Sequence, residues 1–333
     1  VSPCSDKLLY GIKGAHVTTP NNLHVVFGTG AIGMTLIEQL HAGGKEVRAV
    51  NRRGTANVPE GVEVVGGDAT NSEFTKAASE GAAVIYFLVN PPYTKWPELF
   101  PPLQASVIEA AASAEAKLVA MENLYMYAPP HGEPLTEDLP HDATTRKGIV
   151  RAQMAQDLMA AHESGKVRVV AARPSDYFGP RGLLSAMGER VFYPALAGKK
   201  AQVMGDPNLL HSYSYLPDIA KSLAILGDSP EADGKAWHLP NAPAVSTTQF
   251  IEMVYSAAGT DLGIQAMPRF LVSLLSLVNG DVRELKEMLY EYEEPWVVDD
   301  SRFSKTFSQV ATPLPEAIDA TVAWFKANPK GPK

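Results

Sequence analysis

Short apolar runs alternate with longer segments of helical periodicity along the first half of the chain. His24-Val25-Val26-Phe27 is apolar and β-branched and ends in glycines, and the next apolar positions, Ile32, Leu36, Ile37 and Leu40, recur at the spacing of one helix face. The pattern predicts strand, tight turn, helix. Glu46 to Val50, Val62 to Val65, Ala83 to Val89, Lys117 to Met121 and Val167 to Ala172 read as further strands, with helical windows at Ser72 to Glu80, Pro97 to Ala114 and Arg146 to Glu163. Parallel neighbours need crossovers and helices supply them, so the alternation predicts an α/β, doubly wound parallel sheet covered on both faces. The unbroken run Val84-Ile85-Tyr86-Phe87-Leu88-Val89 fits a strand buried on both sides.

After Arg173-Pro174 the alternation breaks into segments punctuated by Gly and Pro. It resumes with a helix at Asp218 to Leu226 and a strand at Trp237 to Leu239, followed by helical regions at Thr247 to Gly259, 270 to 278 and Asp281 to Tyr292. The organisation predicted is a first domain over 22–175, with 210–240 returning to it, and a smaller interleaved C-terminal lobe from 176–209 and 241–333. No internal repeat is visible, which removes solenoids.

Composition narrows the class. With 333 residues, 45% hydrophobic and 20% charged, the chain has ordinary globular usage and implies neither disorder nor a membrane protein. Its most apolar stretch, Phe270 to Val278, falls far short of the roughly 20 residues that span a bilayer. The net charge of -8 and the lack of a Lys/Arg cluster argue against a nucleic-acid partner. Cys4 is the only cysteine, so an intrachain disulfide and a multi-cysteine zinc site are excluded and a reducing, cytoplasmic setting is expected. Residues 1 to 22 carry neither an Arg-rich amphipathic pattern nor a signal-peptide apolar region.

Gly28-Thr29-Gly30-Ala31-Ile32-Gly33 lies between the first strand and the first helix, the context a dinucleotide-binding turn requires. The first glycine makes the turn, the second admits a pyrophosphate, the third lets helix and strand approach, and the helix N-terminus offers unpaired N–H groups to the phosphates. An NAD site would carry an acidic residue at the end of the second strand. This chain has Asn51-Arg52-Arg53 there, two guanidinium groups able to pair with a 2′-phosphate, so NADP(H) is the expected cofactor. Asp68-Ala69, beyond the third strand, is either an acceptor for the adenine amino group or a turn-forming Asp.

Further landmarks follow in order: Val89-Asn90-Pro91, Asn123-Leu124-Tyr125-Met126-Tyr127, Ala172 to Pro180, and His211 to Ala220. With them the chain resembles the extended and atypical short-chain dehydrogenases/reductases, the branch that includes sugar-nucleotide epimerases and dehydratases, over about residues 24 to 328. The resemblance implies a Rossmann fold. It also implies a Ser or Thr after the fifth strand and a Tyr-x-x-x-Lys pair on the next helix, whose lysine lowers the tyrosine pKa for proton transfer. Here Asn123 takes the Ser/Thr position, Lys147 the Tyr position and Arg151 the Lys position, so the tetrad is degenerate. Arginine is too basic to shuttle protons but can hold a ribose or phosphate. The dehydratase acid and base positions hold Leu124 and Tyr125, which counts against dehydration and leaves Tyr125 or Lys147 as the replacement proton donor.

By the same resemblance Val89 and Asn90 border the cofactor, and Pro174 with Ser175 lie near the nicotinamide carboxamide. Tyr93, Trp96, Tyr177, Phe178 and Tyr213 are either an aromatic substrate wall or core residues, and His211 a relay or a polar loop residue. The stretch with His131, Glu133, Glu137, Asp138, His141 and Asp142 matches no tight metal spacing, and no metal is expected. The expected function is an NADP(H)-dependent oxidoreductase that moves hydride to or from a carbonyl or alcohol carbon of a small organic substrate. A cofactor-binding sensor or scaffold without turnover is one alternative, and a sugar-nucleotide epimerase using Arg181, Arg190, Lys199 and Lys200 another. The helices at Pro97 to Ala114 and Arg146 to Glu163 are the candidate surface of a homodimer.

Overall fold

The computed structural model describes residues 22–267, 272–274, 276 and 280–329. Most of the apolar segment 270 to 278 and the segment 1 to 21 lie outside them. Strands β1 (Leu23–Phe27), β2 (Glu46–Asn51), β3 (Glu63–Gly66), β4 (Ala82–Phe87), β5 (Lys117–Met121) and β6 (Arg168–Arg173) form one sheet with the late strand β11 (Lys235–His238). The order is β11-β6-β5-β4-β1-β2-β3, and every pairing is parallel. Helices α1 (Ala31–Ala42), α2 (Ser72–Ala78), α3 (Trp96–Ser113), α4 (Arg146–Glu163) and α6 (Leu216–Asp228) cover its faces. This is the doubly wound parallel sheet that the alternation of periods predicts.

Alternation along each strand divides the core in two. Val25, Phe27, Ile85, Phe87, Leu118 and Val169 face α3 and α4, while Val26, Val84, Tyr86, Val119 and Val170 face α1 and α6. The predicted stripe of α1, Ile32, Leu36, Ile37 and Leu40, is buried in the second layer with Ile219, Leu223 and Leu226 of α6. Each such side chain contributes roughly 1.5–3 kcal/mol on burial. Strand β11 is fastened there by Trp237, whose ring meets Phe303 and Phe307 edge-on.

The region after Arg173 is built from small pairs: β7 (Asp176–Phe178) with β10 (Tyr213–Tyr215), β8 (Ala201–Met204) with β13 (Ile264–Met267), and β9 (Leu210–His211) with β12 (Val245–Ser246). A separate apolar cluster joins α5 (Glu189–Leu196), α7 (Thr247–Ala258) and the helix Leu314–Ala327 through Phe192, Phe250, Ile251, Ile318 and Phe325. Where one helix is predicted over Asp281 to Tyr292, the chain forms a helix at Gly280–Lys286 and then a 3-10 turn at Leu289–Tyr292. The tighter turn puts Leu289, Glu291 and Tyr292 all in buried positions, so tertiary burial overrides the continuous helical period.

Two histidines are buried in these layers. Burial lowers the His24 pKa to about 4, with Lys45 adding to the effect, and lowers that of His238 to about 3, with Arg173 adding to it. Both are neutral when folded and near 6.5 when unfolded. Their contribution to stability is therefore complete above pH 6.5 and is lost as the pH falls from there toward 4, at about 1.4 kcal/mol per pH unit for each group. Urea unfolding between pH 7.5 and 4.5 is expected to show this decline, and His238→Gln to flatten it.

Candidate functional site

A cavity of about 800 Å³ opens where the strand order reverses between β1 and β4, lined by the start of α1, the segments after β4, β5 and β6, and residues of the later region. In open α/β sheets this crevice, outside the strand ends, is where ligands bind.

The glycine turn forms one wall. Gly28 has φ +113°, and a Cβ there would sit 2.8 Å from the Leu88 carbonyl oxygen. A Cβ on Gly33 would sit 1.9 Å from the Gly28 carbonyl oxygen, while one on Gly30 would meet nothing within 4 Å. The first and third glycines thus close the turn on itself, and the second leaves open space in front of Ala31 and Ile32 in the first helical turn. Asn51 braces the same turn from β2. Its Nδ2 donates to Thr29 Oγ1 and to the Thr55 carbonyl, both at 3.0 Å, and its Oδ1 accepts from the backbone N–H groups of Arg53 and Gly54. Arg52 and Arg53 stand exposed at the tip of that loop. Asp68 accepts a hydrogen bond from Thr70 N at 3.0 Å, a local turn, and Ala69 packs on the core beside it. Its carboxyl is held below the usual range first by that backbone bond and further by Arg52 nearby.

Across the cavity, Val89 and Asn90 follow β4, and Pro174 and Ser175 follow β6. The Ser175 hydroxyl donates to the Ser212 carbonyl at 2.8 Å and its N–H to Ser214 Oγ at 3.0 Å, so it couples the end of β6 to β10 and the residue before it.

Asn123, Tyr125 and Arg151 come together. Asn123 Oδ1 accepts from Arg151 Nε at 3.1 Å and from Tyr125 N at 3.2 Å. The Arg151 guanidinium also donates to the Met121 carbonyl and lies over the rings of Phe100 and Trp96, 5.0 and 5.8 Å from their centroids. Tyr125 stacks on Trp96, with Tyr93 close by. Burial, with Glu291 close by, pushes its phenol well above the usual range, so it is protonated.

Lys147 stands elsewhere. It is 1% exposed, yet it does not line the cavity, because its ammonium is held by Glu284 and by Glu287, the latter at 2.9 Å, and lies 4.2 Å from the Tyr93 ring centroid. Arg146 pairs with the same two carboxylates. His211 is also engaged: its Nε2 meets Asp176 at 3.1 Å and its ring stacks on Tyr213 and Tyr292. Tyr177 lines the cavity, whereas Phe178 and Tyr213 belong to the lobe core. Asp138 and His131 lie in surface pairs with Arg302 and Glu294, the Glu137 side chain is buried between Arg302 and the His238 N–H, and no group able to hold a metal occurs among the described residues.

Four wall residues escaped the reading of the sequence as site groups: Glu122, Asp176, Glu291 and Tyr292. Asp176 accepts from Tyr292 OH at 2.6 Å. Only its place beside Pro174 and Ser175 could have flagged it, and nothing in the spacing of 280 to 292 distinguishes Glu291 from a helix surface acid. Glu122 forms a fully buried ion pair with Arg173, Oε2 to Nε at 2.7 Å, extended by Arg173 to Tyr127 OH at 2.7 Å and Tyr127 OH to His238 at 3.0 Å.

A glycine-closed strand-turn-helix at the switch point of a parallel sheet, beside a walled cavity, defines a Rossmann-type α/β protein. Within that class the model of the NAD dependent epimerase/dehydratase family matches residues 25–239, and the chain belongs to this family. Solved structures of the same fold include an epimerase from Methanothermobacter thermautotrophicus, 17% identical with a TM-score of 0.77 over 92% of this chain and 93% of that one. The UDP-glucose 4-epimerase of Thermus thermophilus, solved with NAD, is 20% identical with a TM-score of 0.72 over 91% of this chain and 99% of its own. A curated relative, 3beta-hydroxysteroid-dehydrogenase/decarboxylase isoform 2 of Arabidopsis thaliana, is 24% identical over 159 residues, 44% of this chain and 26% of that protein. No helix among the described residues is long and apolar enough to cross a membrane.

Removing one partner of a buried ion pair leaves the other charge uncompensated at a cost of about 3–5 kcal/mol. Glu122→Gln is therefore expected to lower the unfolding free energy by that amount, read from the midpoint of urea unfolding at constant slope.

Proposed function

We propose that this protein is an NADP(H)-dependent oxidoreductase acting on a carbonyl or alcohol carbon of a small organic substrate. The observation that carries this is a single cavity reaching from the glycine turn to Tyr125, Asn123 and Arg151. The residues fit a dinucleotide: the open space at Gly30 and the N–H groups at the start of α1 suit a pyrophosphate, and Arg52 with Arg53 suit a 2′-phosphate. Asp68 and Ala69 would border the adenine, Val89 and Asn90 the middle of the cofactor, and Pro174 and Ser175 its nicotinamide end. When bound, the dinucleotide supplies two-electron redox chemistry. On this reading 22–175 with 210–240 holds the nucleotide, and 176–209 with 241–333 shapes the substrate space. A nicotinamide dinucleotide also agrees with the NAD named in the Thermus thermophilus structure.

Tyr125 is the proton donor in this scheme. Its phenol stays protonated in the buried cavity, so it donates to a substrate oxygen, and the Arg151 guanidinium is close enough to balance charge left on the ring. Asn123 spends its carbonyl on Arg151 and Tyr125 N, which leaves its amide N–H groups for the same substrate oxygen. Lys147 is assigned to holding the lobe, because both Glu284 and Glu287 occupy its ammonium. A second reading, sugar-nucleotide epimerisation, draws on the UDP-glucose named for that structural neighbour and on Arg190 at the cavity wall. It is weakened at Arg181, which is committed to Glu38 by two hydrogen bonds of 2.7 and 2.8 Å.

Calorimetric titration with NADPH and NADH tests the cofactor. Tight NADPH binding is expected, weakened at least about tenfold in Arg52→Ala/Arg53→Ala with NADH little changed, as loss of charge-assisted hydrogen bonds requires. Binding of neither nucleotide would overturn the proposal. For the chemistry, consumption of NADPH with a panel of aldehydes, ketones and UDP-sugars is followed at the nicotinamide absorbance. Tyr125→Phe is expected to lower kcat about 10²–10⁴-fold with substrate KM little changed. Full turnover in that variant would remove Tyr125 from the proton step, interconversion of a UDP-sugar without net NADPH consumption would favour the epimerase, and binding with neither would favour a sensor.

A further inference from the structure

Glu284, Glu287 and Glu291 follow one another at spacings of three and four, and the first two are neutralised by Lys147 and Arg146. Glu291 has no such cation. It is 2% exposed, lines the cavity, and its Oε1 has no hydrogen-bond partner among the described residues. A buried carboxyl oxygen without a partner is costly, and a native structure that keeps one calls for a reason.

The surroundings of Glu291 are aromatic and acidic. It acts electrostatically on Tyr93 from the turn before α3, on Tyr125 after β5, and on Tyr290 and Tyr292 beside it. Its one acidic neighbour of this kind is Asp176, whose carboxylate is already hydrogen-bonded by His211 and Tyr292. The two buried cations of this region are engaged elsewhere: Lys147, over the Tyr93 ring, is held by Glu284 and Glu287, and Arg151 is turned to Asn123 and Met121. Electron-rich rings around a carboxyl that lacks a counter-ion are the setting in which organic ammonium groups bind.

We propose that Glu291 receives a protonated amine of the substrate, with Tyr93, Tyr125 and Tyr292 supplying aromatic wall to the same pocket. The assignment rests on the cavity being the substrate site proposed above and names the chemistry of the substrate's non-reacting end. A neutral hydroxyl could hydrogen-bond the same oxygen but brings no charge to pair with a carboxylate. Burial and the nearby Asp176 raise the Glu291 carboxyl well above the usual range when the pocket is free, and an ammonium favours its carboxylate instead.

The test uses benzylammonium and its neutral counterpart benzyl alcohol, titrated calorimetrically into the full chain at pH 7, with and without saturating NADP⁺. The expected result is at least a tenfold preference for the amine. Glu291→Gln, whose folding is checked by thermal unfolding, is expected to abolish the preference while NADPH affinity is unchanged. Equal affinity of wild type for amine and alcohol, or binding of neither, overturns the assignment, and neither outcome needs the variant. Each leaves the nucleotide proposal standing if NADPH still binds. Loss of NADPH binding, with amine selectivity retained, would sink the oxidoreductase and spare the cation site.

Discussion

Helix α1 begins where it does only because no side-chain carbon stands on Gly33. The Gly28 carbonyl oxygen occupies that space, and Gly28 can present it because its own φ of +113° is open to glycine. From this one close approach follow the entry angle of α1, the docking of its apolar stripe beside α6, and the direction of its N-terminus toward the cavity. Asn51 completes the arrangement by tying β2 to Thr29, so the second strand and the first turn are set as a unit. A single added methyl at position 33 would have to be absorbed by backbone, which is far stiffer than a side chain.

Buried charge organises the opposite side. The Glu122–Arg173 pair joins the ends of β5 and β6, and the Tyr127–His238 link carries it on to β11. Lys147, with two carboxylates from the segment after 280, joins α4 to the end of the chain. Such pairs contribute little net stability over apolar packing, but they accept only one geometry. The Lys147 ammonium is thus a structural group, while Tyr125, on the loop after β5, brings a phenol to the cavity.

The first half of the fold was legible because its signals are local. The strand runs, the α1 stripe and the glycine turn each repeat a period that only one element can satisfy, and the family they indicate is the one whose model covers 25–239. Asn123, Tyr125 and Arg151 were assigned to one site by the family resemblance, and hydrogen bonds through Asn123 join them. The later half was less legible because its strands are two to four residues long, too short to show a period. Lys147 looked like a proton donor because its partners lie more than 130 residues away. Glu291 and Tyr292 gave no sign for the same reason: what turns them into the cavity is a 3-10 turn and an Asp176 contact that no neighbouring residue encodes.

These distances along the chain have a kinetic meaning. The contacts that finish the cavity join positions 116, 137 and 143 residues apart, Tyr292 to Asp176, Lys147 to Glu284 and Arg181 to Glu38. Loop-closure entropy must be met before any of them forms, while the strands of the sheet pair with nearer neighbours. During synthesis the glycine turn and its sheet can assemble well before residue 280 has been made, and the wall formed by Glu291, Tyr292 and Trp296 cannot. The cavity is thus completed later than the sheet it opens from, and a chain stopped short of 291 would present a crevice open on that side.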